Sequence, residues 1–246
     1  MENPALKSAY EKAIQKPARV STLKAGKASK AIKDKKLSAK MDKVQEKVLD
    51  TKSIDGDWLI LGDRSGSMYE SIEIARNVAA FLARTVKGEV HLVFFNTSPI
   101  YFNVTGKSLD KITQETTRLT AGGGTAIGCG LELMLEKNIS VNGIAVCSDG
   151  GDNTPPWFHN SYKRYCEKLG IEPTVYLYHV SGEENRMTGL CRENGIMLDV
   201  FEMGRNVDYY SIPQLALTMR TGRYTLVEEI MDTRLLTFND VFGRSL

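Results

Sequence analysis

Long apolar runs are missing from this chain of 246 residues. No stretch approaches the roughly 18–20 apolar residues that span a bilayer, so no membrane segment is expected. The opening MENPALKSAYEKA has no apolar core of the kind a secretory leader carries. Cysteine is scarce: four, at positions 129, 147, 166 and 191, widely spaced and without a CxxC pair. That argues against a disulfide framework and fits reduced thiols in a cytoplasmic protein. Cys147, inside the run GIAVCS, reads as a small buried thiol. Histidine is scarcer still. His91 and His179 fall in predicted strands, where a structural role is the default, and only His159, near the loop at Asp149, stands where it would serve a site. Several motifs are also absent. A nucleophile elbow needs G-x-S-x-G, but Asp63 precedes Ser65 and Ser65 precedes Ser67 at the glycine position. Gly123 and Gly128 have P-loop separation, yet Cys129 and Gly130 follow where Lys and Ser/Thr are needed. Gly122, Gly124 and Gly128 miss the G-x-G-x-x-G spacing by one. No repeat of solenoid period is visible.

What is present begins with an uneven charge. Residues 1–50 hold 13 Lys/Arg against 6 Asp/Glu, and the remaining 196 hold 19 against 24, so the formal charge of +2 is the sum of +7 and −5. A basic arm therefore precedes a mildly acidic body, and such an arm suits phosphates or an acidic protein as well as solvent. Residues 1–53 are rich in Lys, Ala and Ser and are interrupted by Pro17 and Gly26. They read as a basic, helical and partly disordered arm. Leu37, Met41, Val44 and Val48 make an apolar stripe that needs a surface to pack on.

The pattern changes after SIDGD. DWLILGD, EVHLVFFN, IYFNV, GIAVCS, TVYLYHV and IMLDVFEM read as short strands. Between them lie helical stretches. YESIEIARNVAAFLARTVKG carries Ile72, Ala75, Val78, Ala79 and Leu82 on one face and is expected to stop at Gly88. SLDKITQETTRL opens with a Ser cap. GLELMLEKN, WFHNSYKRYCEKLG and ENRMTGLCREN follow. This alternation predicts an α/β domain over 54–222 with a mainly parallel sheet and helices on both faces. IYFNV is close enough to its predecessor to be its hairpin partner. Residues 223–246 read as a C-terminal helix and tail.

Three loops carry oxygen donors: Asp63-Arg64-Ser65-Gly66-Ser67, Gly122-Gly123-Gly124-Thr125 and Ser148-Asp149-Gly150. In open α/β sheets ligands bind beyond the carboxyl ends of strands. The carboxylates of Asp63 and Asp149 and the hydroxyls of Ser65, Ser67 and Thr125 are all hard oxygens, and such a set suits Mg²⁺ (or Mn²⁺). Two carboxylates balance a divalent ion and leave room for an added anionic ligand. Asp63 taken alone reads as a cap for the next helix; four further donors at these positions favour the metal. Asp152 and Asn153 read as turn formers outside the metal shell, and Arg64 as a surface arginine. Trp157, Phe158, Tyr162 and Tyr165 fall at helical spacings and read as packing, with Trp157 and Phe158 expected beside the site on a binding face.

The run Asp63-x-Ser65-x-Ser67, Thr125 inside a Gly-Gly-Thr loop, and Ser148-Asp149-Gly150 after a buried strand resemble the metal-ion-dependent adhesion site of von Willebrand factor A-type (vWA) domains. The resemblance spans about 55–220. It implies a Rossmann-like sheet with one short antiparallel edge strand, which would be IYFNV. It implies that Ser65, Ser67 and Thr125 contact the ion through hydroxyls, and Asp63 and Asp149 directly or through water. It also implies that an Asp or Glu of a protein partner takes the open coordination position, with no catalysis. AIGCGLEL after Thr125 and the aromatic-rich WFHNSYKRYCEKLG before a strand are further similar to the vWA half of Ro (TROVE) proteins, RNA-binding particles with a ring of helical repeats. That ring is too large for 53 residues. On this alternative the chain is an RNA-associated module whose residues 1–53 contact RNA or a ribonucleoprotein.

Overall fold

A computed structural model of the chain describes residues 54–66, 68–180 and 185–203. The proposed arm at 1–53, the C-terminal helix and tail at 223–246, and Ser67 lie outside the described residues.

Among the described residues eleven elements follow one another: β1 (Trp58–Asp63), α1 (Tyr69–Thr85), β2 (Val90–Phe95), β3 (Pro99–Asn103), α2 (Leu109–Glu115), α3 (Gly128–Glu136), β4 (Gly143–Ser148), α4 (Phe158–Leu169), β5 (Thr174–Val180), α5 (Arg186–Glu193) and β6 (Leu198–Met203). The six strands form one sheet in the order β3-β2-β1-β4-β5-β6. All pairs are parallel except β2 with β3, which run antiparallel with Phe95 opposite Pro99 and His91 opposite Asn103. The edge strand is the segment that the sequence offers for it.

The sheet is buried on both faces, so its strands read as continuous apolar runs. Side chains of β1 alternate between two cores. Trp58 and Ile60 join the layer under α1 and α2 with Ile74, Val78, Leu82, Phe94 and Tyr178. Leu59 and Leu61 join the layer under α3, α4 and α5 with Leu131, Met134, Phe158, Tyr165 and Met187. The buried tyrosines keep their polar tips satisfied: Tyr162 donates to the Pro173 carbonyl at 2.8 Å and Tyr165 to that of Ile139 at 2.7 Å. The four cysteines are free thiols, and burial pushes those of Cys129 and Cys191 up to about 12. Among the described residues no helix is long and apolar enough to cross a membrane.

Local chemistry sets some helix boundaries and not others. Ser108 caps α2, its hydroxyl accepting from Lys111 N–H at 3.4 Å, and α4 ends on Gly170 in the left-handed region. The helix α1 does not run to Gly88 as its sequence suggests. It stops at Thr85, and Val86 is extended. A parallel bridge of Val86 with Ile54, closed by Lys87 N–H to the Ile54 carbonyl at 2.9 Å, draws the chain out of the helix first. Gly88 instead lets the backbone lie against Gly56 and Asp57.

The order of strands places the functional loops. From β1 the chain moves to β2 on one side, and later returns as β4 on the other. The carboxyl ends of β1 and β4 therefore flank the point where the winding reverses, the position at which open α/β sheets bind ligands.

Candidate metal centre

Asp63 ends β1 and is fully buried. Its Oδ1 accepts the Ser65 N–H at 2.8 Å, and its Oδ2 accepts the Ser148 hydroxyl at 2.6 Å. It is not a helix cap: the cap position of α1 is Met68, with no side-chain hydrogen bond. Burial raises the pKa of Asp63 above the usual carboxylate value. The hydrogen bonds from Ser148 and Ser65 pull it back, and the nearby charge of Asp149 pushes it up again. Two acids thus lie within electrostatic reach of one another, with Ser65 buried beside the first.

The glycine-rich loop is tied to this turn through its backbone. Gly122 N–H donates to the Arg64 carbonyl at 2.8 Å, and Gly66 N–H to the Gly123 carbonyl at 3.2 Å. Asn96, just beyond β2, donates through Nδ2 to the Gly122 carbonyl at 2.7 Å and receives Ala126 N–H on its own carbonyl at 2.8 Å. These bonds bring Thr125 into the buried floor. Its N–H donates to Asn153 Oδ1 at 3.1 Å, and its carbonyl accepts the N–H groups of Asn153 and Thr154 at 3.0 and 2.9 Å. Its hydroxyl has no hydrogen-bond partner among the described residues.

The third loop follows β4. Ser148 is fully buried, and its hydroxyl oxygen also accepts Gly150 N–H at 3.1 Å. Gly150 has φ +76°, a turn that follows the half-buried Asp149. Asp149 Oδ1 accepts Gly151 N–H at 2.9 Å, and its carbonyl accepts from His179 Nε2 at 3.1 Å. The other His179 nitrogen lies 2.7 Å from Glu202 Oε2. Of the five candidate ligands, then, four have described positions, and hydrogen bonds join the loops that carry them.

Sequence reasoning undervalued Asp152, Asn153 and Ser148. Asp152 is fully buried, and its two oxygens accept Ile127 N–H at 3.2 Å and Phe158 N–H at 2.7 Å. It therefore clamps the starts of α3 and α4 together. Burial pushes its pKa up to about 6 against those two hydrogen bonds. Its neighbour Asn153 holds the Thr125 loop from the other side. An acid six residues ahead of the helix start has no capping signature, so no local pattern marks this role. Gly128 permits the same junction, because a Cβ there would lie 2.6 Å from the Pro156 carbonyl oxygen.

Other expectations need correction or refinement. Phe158 lines no binding face; it is wholly buried in the second core layer. Trp157 remains half-buried at the rim, with His159 stacked at 6.3 Å between ring centroids. Arg64 is fixed at the rim, its NH2 group donating to Asn96 Oδ1 at 2.8 Å.

The donor chemistry fits a hard divalent cation: a buried carboxylate, a second half-buried one, and the Ser65 and Thr125 hydroxyls on the adjoining loops. Among the described residues no group of three or more His, Cys, Asp or Glu converges as a metal cluster, so a cation here would depend on hydroxyls.

No protein-family profile and no curated protein matches the chain. Solved structures do. The Ro (RSR) protein of Deinococcus radiodurans aligns with a TM-score of 0.60 at 16% identity, covering 89% of this chain and 49% of that one. The chain thus spans about half the length of that structure. A von Willebrand factor type A protein from Catenulispora acidiphila aligns with a TM-score of 0.42 at 16% identity, covering 69% of this chain and 41% of that one. With its parallel sheet, single antiparallel edge strand and helices on both faces, the chain has a Rossmann-like α/β fold, which aligns over 89% of its length with the Ro (RSR) protein.

Proposed function

We propose that this domain is a non-enzymatic, metal-dependent binding module. Asp63, Ser65, Ser67, Thr125 and Asp149 would hold Mg²⁺ (or Mn²⁺), and the ion would act as a Lewis acid that captures an Asp or Glu of a protein partner. The observation that carries the reading is the locking of three loops into one cluster. Ser148 joins Asp63, Gly66 joins Gly123, and Asn153 joins Thr125. Loops from remote parts of the sequence are thereby joined at the switch point of the sheet. Asp63 is fully buried, where water competes least, and Asp149 is half-buried, where a partner can reach it.

Ligand that binds only the folded state raises stability by RT ln(1 + [L]/Kd). Saturating Mg²⁺ is therefore expected to raise the melting temperature of the wild type more than that of Ser65→Ala. Equal shifts in both proteins would remove Ser65 from the site and the reading with it.

A second reading has one observation in its favour, the alignment with a Ro protein over most of this chain. On that reading the domain belongs to an RNA-associated assembly, with the basic residues 1–53 as the RNA contact. Removing those residues would then abolish a steeply salt-dependent RNA affinity. Chelation by EDTA would leave that affinity in place, whereas it would abolish capture of an acidic protein.

A further inference from the structure

Beside the Asp149 turn stands a cluster that the metal site does not use. The start of α5 abuts this turn: Met187 N–H donates to the Gly150 carbonyl at 3.0 Å, and a Cβ on Gly150 would lie 2.6 Å from Asn185 Oδ1. Arg186, between Asn185 and Met187, is exposed, and its guanidinium carbon lies 5.9 Å from the Trp157 ring centroid. Trp157 in turn stacks on His159 with an angle of 11° between ring planes. The three side chains make a layered stack of guanidinium, indole and imidazole.

Two features of this stack call for an anion. First, its exposed charge is positive, the one acid that feels Arg186, Asp152, being buried beneath it. Arg186 has no ion pair or hydrogen bond to another described residue. Lys163 lies close by and bonds the neutral Asn194 at 3.0 Å. Burial, then the charges of Lys163 and Arg186, push the His159 pKa down, with Glu193 the one acid that opposes them. Second, two covered ring nitrogens, Trp157 Nε1 and His159 Nδ1, have no hydrogen-bond partner. An indole N–H left unmade costs about 1–3 kcal/mol, and a carboxylate supplies the acceptor it lacks.

We propose that the Arg186–Trp157–His159 stack is a docking surface for a second carboxylate of the partner, so that the partner presents an acidic peptide with two or more Glu or Asp residues. This rests on the metal-dependent reading above for the first carboxylate. The electrostatics agree with it. Asp63 and Asp149 neutralise a divalent ion, and the first captured acid then adds one negative charge. Arg186 gives a second acid its own cation, stacked on an aromatic face that orients the guanidinium. A charged peptide also reaches the site faster than a neutral one when both contacts attract it.

Calorimetric titration of the full chain in Mg²⁺ tests this with hexaglutamate and with a peptide of equal length holding one Glu among serines. Hexaglutamate is expected to bind about tenfold more tightly, and Arg186→Glu to reduce that ratio to about twofold or less. Trp157→Phe, which keeps a ring and removes the N–H, is expected to reduce it in the same direction. An unchanged ratio in Arg186→Glu, at an unchanged melting temperature, overturns the docking surface and leaves the metal reading intact. Hexaglutamate binding that survives EDTA but falls with Arg186→Glu does the reverse. Tighter, Arg186-dependent binding of oligouridylate overturns the peptide assignment in favour of RNA.

Discussion

Removing the Ser148 hydroxyl is expected to weaken the domain far more than a serine-to-alanine change ordinarily does. The hydroxyl donates to a buried carboxylate at 2.6 Å, and hydrogen bonds to charged groups contribute about 1.5–3 kcal/mol. The same oxygen accepts Gly150 N–H at 3.1 Å, and an orphaned buried N–H costs about 1–3 kcal/mol. Ser148→Ala should therefore lose roughly 3–5 kcal/mol, a large part of the 5–15 kcal/mol typical of a domain. Ser71→Ala is the comparison, since Ser71 is equally buried but donates to a neutral acceptor, the Cys147 carbonyl; about 1 kcal/mol is expected there. Urea unfolding without divalent ions reads both. The pH dependence adds a second criterion. A carboxyl whose folded pKa is raised contributes stability that is full below its unfolded pKa and is lost as pH rises through the folded value. Ser148 restrains that rise at Asp63, so its loss matters most when Asp63 is ionised. The gap between wild type and Ser148→Ala should be widest near pH 8 and narrow towards pH 4. A gap under about 1 kcal/mol at pH 8, or one that is flat with pH, refutes the assignment of Ser148 as the donor that holds Asp63.

Asp152 gives a related test. Its pKa rises from 3.8 to about 6, which corresponds to about 3 kcal/mol of stability present below pH 3.8 and lost as pH rises through about 6. Asp152→Asn cannot titrate, so urea unfolding should show its stability relative to wild type rising by about 3 kcal/mol between pH 4 and 8; a difference that falls instead shows that the two N–H bonds outweigh burial. Two glycine substitutions should move in opposite directions in thermal melts. Gly128→Ala would set a Cβ 2.6 Å from the Pro156 carbonyl oxygen and 2.7 Å from that of Trp157, costing about 1–3 kcal/mol. Gly189→Ala, in the middle of α5 with nothing within 4 Å, should stabilise by about 0.5–1 kcal/mol.

Much of this molecule was legible one segment at a time. DWLILGD, GIAVCS and TVYLYHV are strands because apolar runs of this length, bounded by polar turns, have no other way to bury both faces. The Ser108 cap and the Gly170 stop are local events that a few neighbouring residues decide. The pairing of β3 with β2 was legible in their short connection, while the edge position of β3 was what the family resemblance implied. Where a distant partner intervened, the local signal failed. Val86 left the helix because Ile54 pairs with it, and Phe158 went to the core because α4 rotates it onto the sheet.

By itself, then, the sequence determined the alternation of strands and helices, the burial of the sheet, and which residue types end the strands. Hydrophobic period and turn chemistry act over a few residues, and they suffice for that. Only the tertiary structure decided that Asp63 is held by Ser148, that Asn153 steadies Thr125, and that Asp152 clamps two helix starts. Those partners are 85, 28 and up to 25 residues apart. They meet because the strand order reverses between β1 and β4, and hydrogen bonds between such remote groups leave no periodic trace in the chain.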